Sequence, residues 1–451
     1  MLKELLKPEI KELVEKRRWA DLKDVLSTWA APEIADLLLD IDKADRVLIF
    51  RVLDLDLSTD VFSHLESDEC DSLINDLTDH ETRELLTDMS PDDRTGLLEE
   101  LPAKVTRRLL NLLSPEDLKE ARFLLGYPED STGRLMTPDF VAIRSNWTVA
   151  RALQHIREFG RDSETIYRIY VTDDKKMLID DILLKNIILA NETTVISELM
   201  DNTVISAGAF DDQEDSLRLM EKYDISALPV VDSSGHLLGI VTFDDIMDVS
   251  AEEATEDFQK ISGINPVDQS YLSASVGKLL LKRFPWLFIL LVSNFFTVFI
   301  MANYHGLLNE YVVLTFFVPL LIGTAGNTGT QSATLIIRSL ATGDVELSDW
   351  GKIFRKEMLI GSLLGLSLGA ISFIRGFYDE RGGIGIALVV STSMLFLVVW
   401  ANIIGALLPL VIARFKLDPA VISSPFIATL IDVSGIIIYC EIAMMFLDFS
   451  V

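Results

Sequence analysis

The residues best placed to do chemistry are oxygen donors standing where the chain is otherwise apolar. Asp432 lies in SSPFIATLIDVSGIIIY, about eleven residues into an apolar run. At about 1.5 Å per residue, this spacing predicts a carboxylate some 16 Å deep in a spanning helix, near the bilayer midplane. A charge there costs about 3 kcal/mol or more unless water or a cation meets it, so an ion ligand is expected rather than a protonated structural Asp. Glu441 falls nine residues further out, as a vestibule group or a solvated helix end. A second run, VPLLIGTAGNTGTQSATLIIRSLATGDV, crowds Pro319, Gly323, Gly326, Asn327, Gly329, Thr330 and Gln331 at membrane depth. These residue types are expected to break the helix or bare its backbone, which a bilayer tolerates only against protein or water. Neutral oxygens with one carboxylate suit a cation that keeps part of its water shell, as Mg²⁺ does. Close helix packing through small residues is the alternative. Asn294 and Asn402 are further polar residues within apolar runs, without an assigned role.

A third set is acidic throughout. In DDIMDVSAEEATEDFQKISGINPVDQ, the pairs Glu252/Glu256 and Glu253/Asp257 fall four residues apart. On a helix such like-charge pairs cost a few tenths of a kcal/mol each, a cost removed if a divalent cation bridges them to a facing surface. This segment leads toward the first apolar run and is expected to act as a gate lever.

The elements that must hold these groups divide the chain in two. Up to Leu280 there are 30 Lys and Arg against 58 Asp and Glu, while from Leu281 onward there are 10 against 11, within a total net charge of −29. So acidic a first half argues against a nucleic-acid partner and for carboxylates whose repulsion bound cations relieve. The five histidines show no ligand spacing, which points away from Zn²⁺ and copper and toward hard cations on oxygen. Cys70 and Cys440 stand in unlike surroundings and predict no disulfide. The start, MLKELLKPEIKELVEKRRW, lacks the apolar core of a signal peptide.

The second half contains five segments long enough to span a bilayer: Phe284–Ala302, Tyr311–Leu340, Met358–Phe377, Ile384–Ala413 and Val421–Leu447. The second and fourth exceed the needed length, which suggests tilt or a non-helical interruption. With the N-terminus inside, the cytoplasmic flanks carry Lys278, Lys282, Arg283, Arg338, Lys352, Arg355, Lys356, Arg414 and Lys416. The outer loops carry Arg375 and Arg381. That bias predicts a multi-pass protein of the cell (inner, plasma) membrane, with its N-terminus in and its C-terminus out.

Within the first half, residues 1–128 read as an acidic domain of short helices. Residues from about 135 contain a repeat. LMTPDFVAIRSNWTVARALQHI aligns with LMDNTVISAGAFDDQEDSLRLM, and IYVTDDKKMLIDDILLKNI with LPVVDSSGHLLGIVTFDDI. Each unit predicts strand, helix, two short strands across a tight turn, and helix. The expected order is therefore helical domain 1–128, repeat pair 129–249, connecting helix 250–280 and membrane domain 281–451.

The repeat resembles a tandem CBS pair, a module that often binds adenine nucleotides. The second copy keeps Gly239 and Thr242-x-x-Asp245, the pattern that faces ribose and phosphate. The first copy has Asp180, Leu183 and Asn186 instead. The chain as a whole resembles the MgtE family of Mg²⁺ channels. YPEDSTGRLMT (127–137), EEATEDFQKISG (252–263), GTAGNTGTQSATLIIRSLATGDV (323–345) and DPAVISSPFIATLIDVSG (418–435) carry that resemblance. It implies an all-α superhelical N domain, an α/β CBS pair, a plug helix and a five-helix pore domain. It also implies a homodimer in the lipid bilayer with the pore on the dimer axis, lined by the second and fifth spans.

Pore residues implied are Asp432, Ala428, Gly326, Asn327 and Gly329 within the segment Gly323 to Gln331. Cytosolic Mg²⁺-sensing positions implied are Asp212, Glu214, Asp224, Asp245, Asp248, Glu253, Glu256 and Asp257, with Asp418 at the pore mouth and Asp92 and Asp93 in the N domain. Ala325, Thr330 and Ser424 depart from the pattern and bear on discrimination among Mg²⁺, Mn²⁺, Co²⁺ and Ca²⁺. ATP on the CBS pair is an optional ligand. The function implied is Mg²⁺ uptake closed by feedback from cytosolic Mg²⁺. The rivals are a divalent-cation transporter coupled to Na⁺ or H⁺, and a membrane ion or nucleotide sensor that transports nothing. No Walker motif, nucleophile–His constellation or kinase motif argues for an enzyme.

Overall fold

The computed structural model describes residues 9–447 except 15, 66, 268–270, 272–273, 379–382, 416 and 422–423, so Arg381 and Lys416 lie outside the described residues. The chain forms two compact units, Met1–Ala251 and Glu252–Val451.

The first unit opens with short helices: α1 (Trp19–Leu26), α2 (Ala31–Leu39), α3 (Lys43–Phe50), α4 (Leu55–Ser63), α5 (Ser67–Asp76), α6 (Asp79–Asp88), α7 (Pro91–Glu100), α8 (Ala103–Leu110) and α9 (Pro115–Leu124). Proline at the first helical position starts α7 and α9, and a Thr78–Glu81 capping box starts α6. Each helix is too short to be stable alone, so they share one apolar core that includes Leu22, Ile34, Phe62, Leu86 and Leu109.

Arg94 of α7 is 2% exposed within this layer. Its guanidinium donates to the Leu86 carbonyl at 3.1 Å and to Glu120 Oε2 at 2.6 Å, pinning α7 to α9. Truncation would leave a carboxylate and a carbonyl without their donor. Arg94→Ala should therefore destabilise the first unit by about 3 kcal/mol, read as a drop in its urea midpoint with unchanged slope.

After α10 (Thr132–Leu135) come the two repeats. The first has β1 (Phe140–Arg144), α11 (Val149–Phe159), β2 (Thr165–Thr172), β3 (Leu178–Leu183) and α12 (Leu184–Leu189). The second has β4 (Ala207–Gly208), α13 (Gln213–Tyr223), β5 (Ala227–Val231), β6 (Leu237–Thr242) and α14 (Phe243–Ile261). Both sheets pair their first two strands in parallel and their last two antiparallel.

The hairpin turns confirm the repeat in detail. Asp173 Oδ1 accepts from the Lys175 and Met177 amides, and Asp232 Oδ1 from those of Ser234 and His236. Lys176 and Gly235, the equivalent turn residues, both have positive φ, which costs the lysine more than the glycine. The two turns pair with each other through Leu178 N to Gly235 O at 3.0 Å and Leu237 N to Lys176 O at 3.1 Å. Tyr170, Ala227, Leu237 and Ile240 bury a core shared by both copies.

The second unit begins within α14, which ends at Ile261 rather than running on to 280 as the expected connecting helix, with Gly263 at positive φ just beyond it. Among the described residues, five helices follow that are long and apolar enough to cross a membrane. They are α15 (Val276–Asn303), α17 (Val313–Ala341), α18 (Trp350–Phe377), α19 (Gly383–Arg414) and α20 (Ser424–Phe446), with short α16 (His305–Glu310) between the first two.

The expected break in the second span is absent. α17 runs unbroken through Pro319 and the glycines, because neighbouring helices pack against its small residues and Pro319 lies only two turns from its start. α18 and α19 approach closely: a Cβ on Gly365 would lie 2.9 Å from the Leu395 carbonyl oxygen, and one on Gly376 2.9 Å from Ala387 Cα.

Candidate functional site

α17 and α20 meet at Gly326. A Cβ there would lie 3.7 Å from Ala428 Cβ and 3.9 Å from Asp432 Oδ1, so three of the expected path residues come together. Gly329 does not join them. It packs α17 onto α19 and α20, where a Cβ would come 3.1 Å from the Ala401 carbonyl oxygen and clash with Ile431. Asn327 is exposed, on a face shared with exposed Gly323, Gln331 and Thr334. Polar groups at this depth are costly against lipid, so the stripe calls for water or protein.

Asp432 is half-buried, and no described residue donates a hydrogen bond to it. It sits eight residues into α20, roughly 12 Å from the helix start, so it is shallower along its helix than the apolar run implied. The helix begins at Ser424, after the 3₁₀ turn Pro419–Val421 and with Pro425 in its first turn. Ala325 is buried on the packed side of α17, whereas Thr330 and Ser424 are half-buried. Glu441 accepts a hydrogen bond from the Tyr304 hydroxyl at 2.7 Å.

In the first unit, the start of α7 and the start of α14 bring carboxylates together. Burial first, then the Asp245 charge, pushes the Asp92 carboxyl well above the usual range, against a hydrogen bond from Ser90. Asp92 Oδ1 is buried without a hydrogen-bond partner. Asp245 is pushed up to about 7 by burial and then by Asp244 and Asp93, although Thr242 Oγ1 donates to it at 2.6 Å. Asp93 and Glu164 are raised as well, in each case first by crowding against protein and then by Asp244; Asp248 adds to the push on Asp93, and His64 opposes it. Asp93 and Glu164 keep solvent access, so their shares are screened.

In the second unit, Lys260 Nζ bridges Glu256 Oε1 at 2.5 Å and Asp418 Oδ2 at 2.8 Å. Asp257 is raised by burial and then by Asp418, with Glu253 and Glu256 adding to it and Lys260 opposing. Asp418 and the later α14 carboxylates Glu253, Glu256 and Asp257 thus share one neighbourhood.

The remaining expected residues serve local structure. Asp212 caps α13 by accepting from the Glu214 amide at 2.9 Å, Glu214 pairs with Arg218 at 2.9 Å, and Asp224 ends α13 in the left-handed region. Gly239 is required by packing, since a Cβ would lie 2.6 Å from the Thr137 carbonyl oxygen. Asp180 is buried and accepts from the Asp181 and Asn202 amides, which explains a carboxylate in place of the first copy's glycine. Among the described residues, no group of three or more His, Cys, Asp or Glu side chains is arranged to hold a bare metal ion.

Sequence reasoning missed Lys260, which follows Glu256 by four residues, and the roles of Asp244 and Glu164. It also missed Glu357, buried in α18, because the third apolar run was drawn from Met358 and the preceding Arg355 and Lys356 read as a flank.

Family models described as MgtE intracellular N domain, CBS domain and MgtE divalent cation transporter match residues 30–130, 133–191 with 196–252, and 318–442. A curated "Magnesium transporter MgtE" of Thermus thermophilus is 43% identical over 73% of this chain and 73% of its own length. One of Bacillus subtilis is 31% identical over 95% and 94%. A crystal structure described as the cytosolic domain of the Mg²⁺ channel MgtE in complex with ATP is 34% identical, with a TM-score of 0.53, over 54% of this chain and 100% of that one. Helical domain, CBS pair and membrane helices match in order, and the chain belongs to the MgtE family of magnesium transporters.

Proposed function

We propose that the chain is a homodimeric Mg²⁺ channel of the cell membrane, closed by Mg²⁺ binding to its acidic cytosolic domains. The observation that carries this reading is the Asp432 carboxylate facing Gly326 and Ala428, beside an α17 face on which Asn327, Gln331 and Thr334 are exposed at membrane depth. A second copy covering that face would convert the stripe into the wall of a water-filled path, with Asp432, Ala428, Gly326 and Asn327 facing the ion. Gly329 supports the path by close packing. Residues 1–128, 129–249, 250–280 and 281–451 act as sensor, sensor, lever and pore, with the lever helix beginning inside the second repeat at Phe243. The N-terminal parts are cytoplasmic and the C-terminus is outside, as the positive flanks require.

Gating follows from repulsion. α14 carries Asp244, Asp245 and Asp248 in its first turns and Glu253, Glu256 and Asp257 in its later ones. Hydrated Mg²⁺ beside Asp92, Asp93 and these groups favours the compact state over an open one, and several weak sites make the response steep. Lys260 supplies a tethered positive charge to the same cluster as Asp418. Lys260→Met should therefore raise Mg²⁺ flux in low cytosolic Mg²⁺ severalfold and leave closure more dependent on added Mg²⁺; flux at the parent level in both conditions would contradict this.

An adenine nucleotide on Gly239, Thr242 and Asp245 is a narrower proposal. It is supported by the ATP-bound relative and would require Thr242 to turn away from Asp245. ATP should then raise the thermal midpoint of the parent but not of Thr242→Val. Mg²⁺-dependent protection of the cytosolic region from protease, lost in chelator, tests the gating; equal digestion in both would overturn it.

A further inference from the structure

Three helices of the membrane unit meet around one hydroxyl. Glu357 lies seven residues past the start of α18, inside the candidate span Leu347–Phe377, and its side chain is 8% exposed. Its Oε2 is 3.0 Å from Ser332 Oγ of α17. The same Oγ is 3.2 Å from the backbone carbonyl oxygen of Asn402 in α19, and Asn402 Nδ2 reaches back to the Glu357 carbonyl at 3.5 Å. Ser332 and Asn402 are themselves 4% and 2% exposed. Among the described residues no Lys, Arg or His pairs with Glu357, and its neighbours Arg355 and Lys356 are exposed.

The Ser332 hydroxyl is the donor at this junction, with the Glu357 carboxyl of α18 and the Asn402 carbonyl of α19 both within its reach, so one side chain of α17 ties it to two neighbouring helices.

We propose that Glu357 acts as a positioning residue for ion passage, fixing α17 against α18 and α19 through Ser332. Ser332 lies six residues, roughly 9 Å, along α17 from Gly326, the residue facing Asp432. A relay that pins α17 there sets the register in which Gly326 meets Ala428 and Asp432. This role rests on the reading of α17 and α20 as the path.

The test measures Mg²⁺ flux in proteoliposomes holding purified full-length protein. Glu357→Gln, whose amide oxygen can accept from Ser332, should keep flux within about twofold of the parent, while Glu357→Ala loses at least about fivefold. If Glu357→Ala does not fold, Ser332→Ala replaces it, with reduced flux expected. Parent-level flux in Glu357→Ala, or in Ser332→Ala where that replaces it, or equal loss in Glu357→Gln and Glu357→Ala, would overturn the positioning role. Normal flux in Asp432→Ala with Glu357→Ala still impaired would instead fault the path.

Discussion

Asp432→Ala is expected to lower Mg²⁺ uptake by thirtyfold or more while leaving the protein folded and in the membrane. At roughly 5 Å and an effective dielectric of about 20, a carboxylate and a divalent ion attract by about 6–7 kcal/mol. Stripping water from both consumes part of this. If a third survives, about 2 kcal/mol, the loss is roughly thirtyfold. Asp432→Asn should behave similarly, because its amide keeps the size but loses the charge. The check is uptake in a strain that depends on this protein for Mg²⁺, with surface expression measured alongside. The substitution should be well tolerated by the fold, since no described residue donates a hydrogen bond to Asp432 and removing it relieves a costly charge. Uptake at the parent level would remove Asp432 from the path.

The second large effect concerns the carboxylates where α7 meets the second repeat. Asp92 and Asp245 have carboxyls raised above their ordinary values, so the folded arrangement binds protons more tightly than a loosened one. Their stabilisation is therefore complete below about pH 4, the ordinary carboxylate value, and is lost as pH rises through about 7, the Asp245 value. In chelator, protease resistance of the cytosolic region should fall severalfold between pH 5.5 and pH 8. Millimolar Mg²⁺ should restore it at pH 8, since a cation relieves the same repulsion that a proton does. Asp245→Asn should resist protease at pH 8 even in chelator and respond little to Mg²⁺. A digestion rate independent of pH in chelator would show that these carboxylates do not oppose compaction.

Much of this architecture is legible in the chain because it rests on periodicity and charge. The repeat announces itself through Asp173 and Asp232, which organise equivalent turns, and the spans through length and apolarity. What is illegible depends on which neighbour a residue meets. Pro319 and three nearby glycines read as a broken helix, yet tertiary packing keeps α17 continuous. Gly326 and Gly329 are three residues apart and of identical type, but only the first faces Asp432. Arg94 looks like one more surface charge until Glu120 and the Leu86 carbonyl enclose it. Glu357 sits in a charged triplet at the edge of an apolar run, and only the helix rotation separates it from exposed Arg355 and Lys356. The like-charge pairs on α14 were plain, whereas the Lys260 bridge to Asp418 joins groups 158 residues apart.

The central claim is that Mg²⁺ passes through this protein and that cytosolic Mg²⁺ shuts the passage. The most direct measurement is divalent-ion flux into proteoliposomes holding purified protein, with Mg²⁺ on the cytosolic side set either below micromolar or at several millimolar. The account predicts rapid Mg²⁺ flux in the first condition, at least tenfold less in the second, and no requirement for a Na⁺ or H⁺ gradient in either. Flux that is indifferent to cytosolic Mg²⁺, or that stops when the Na⁺ or H⁺ gradient is collapsed, would contradict it.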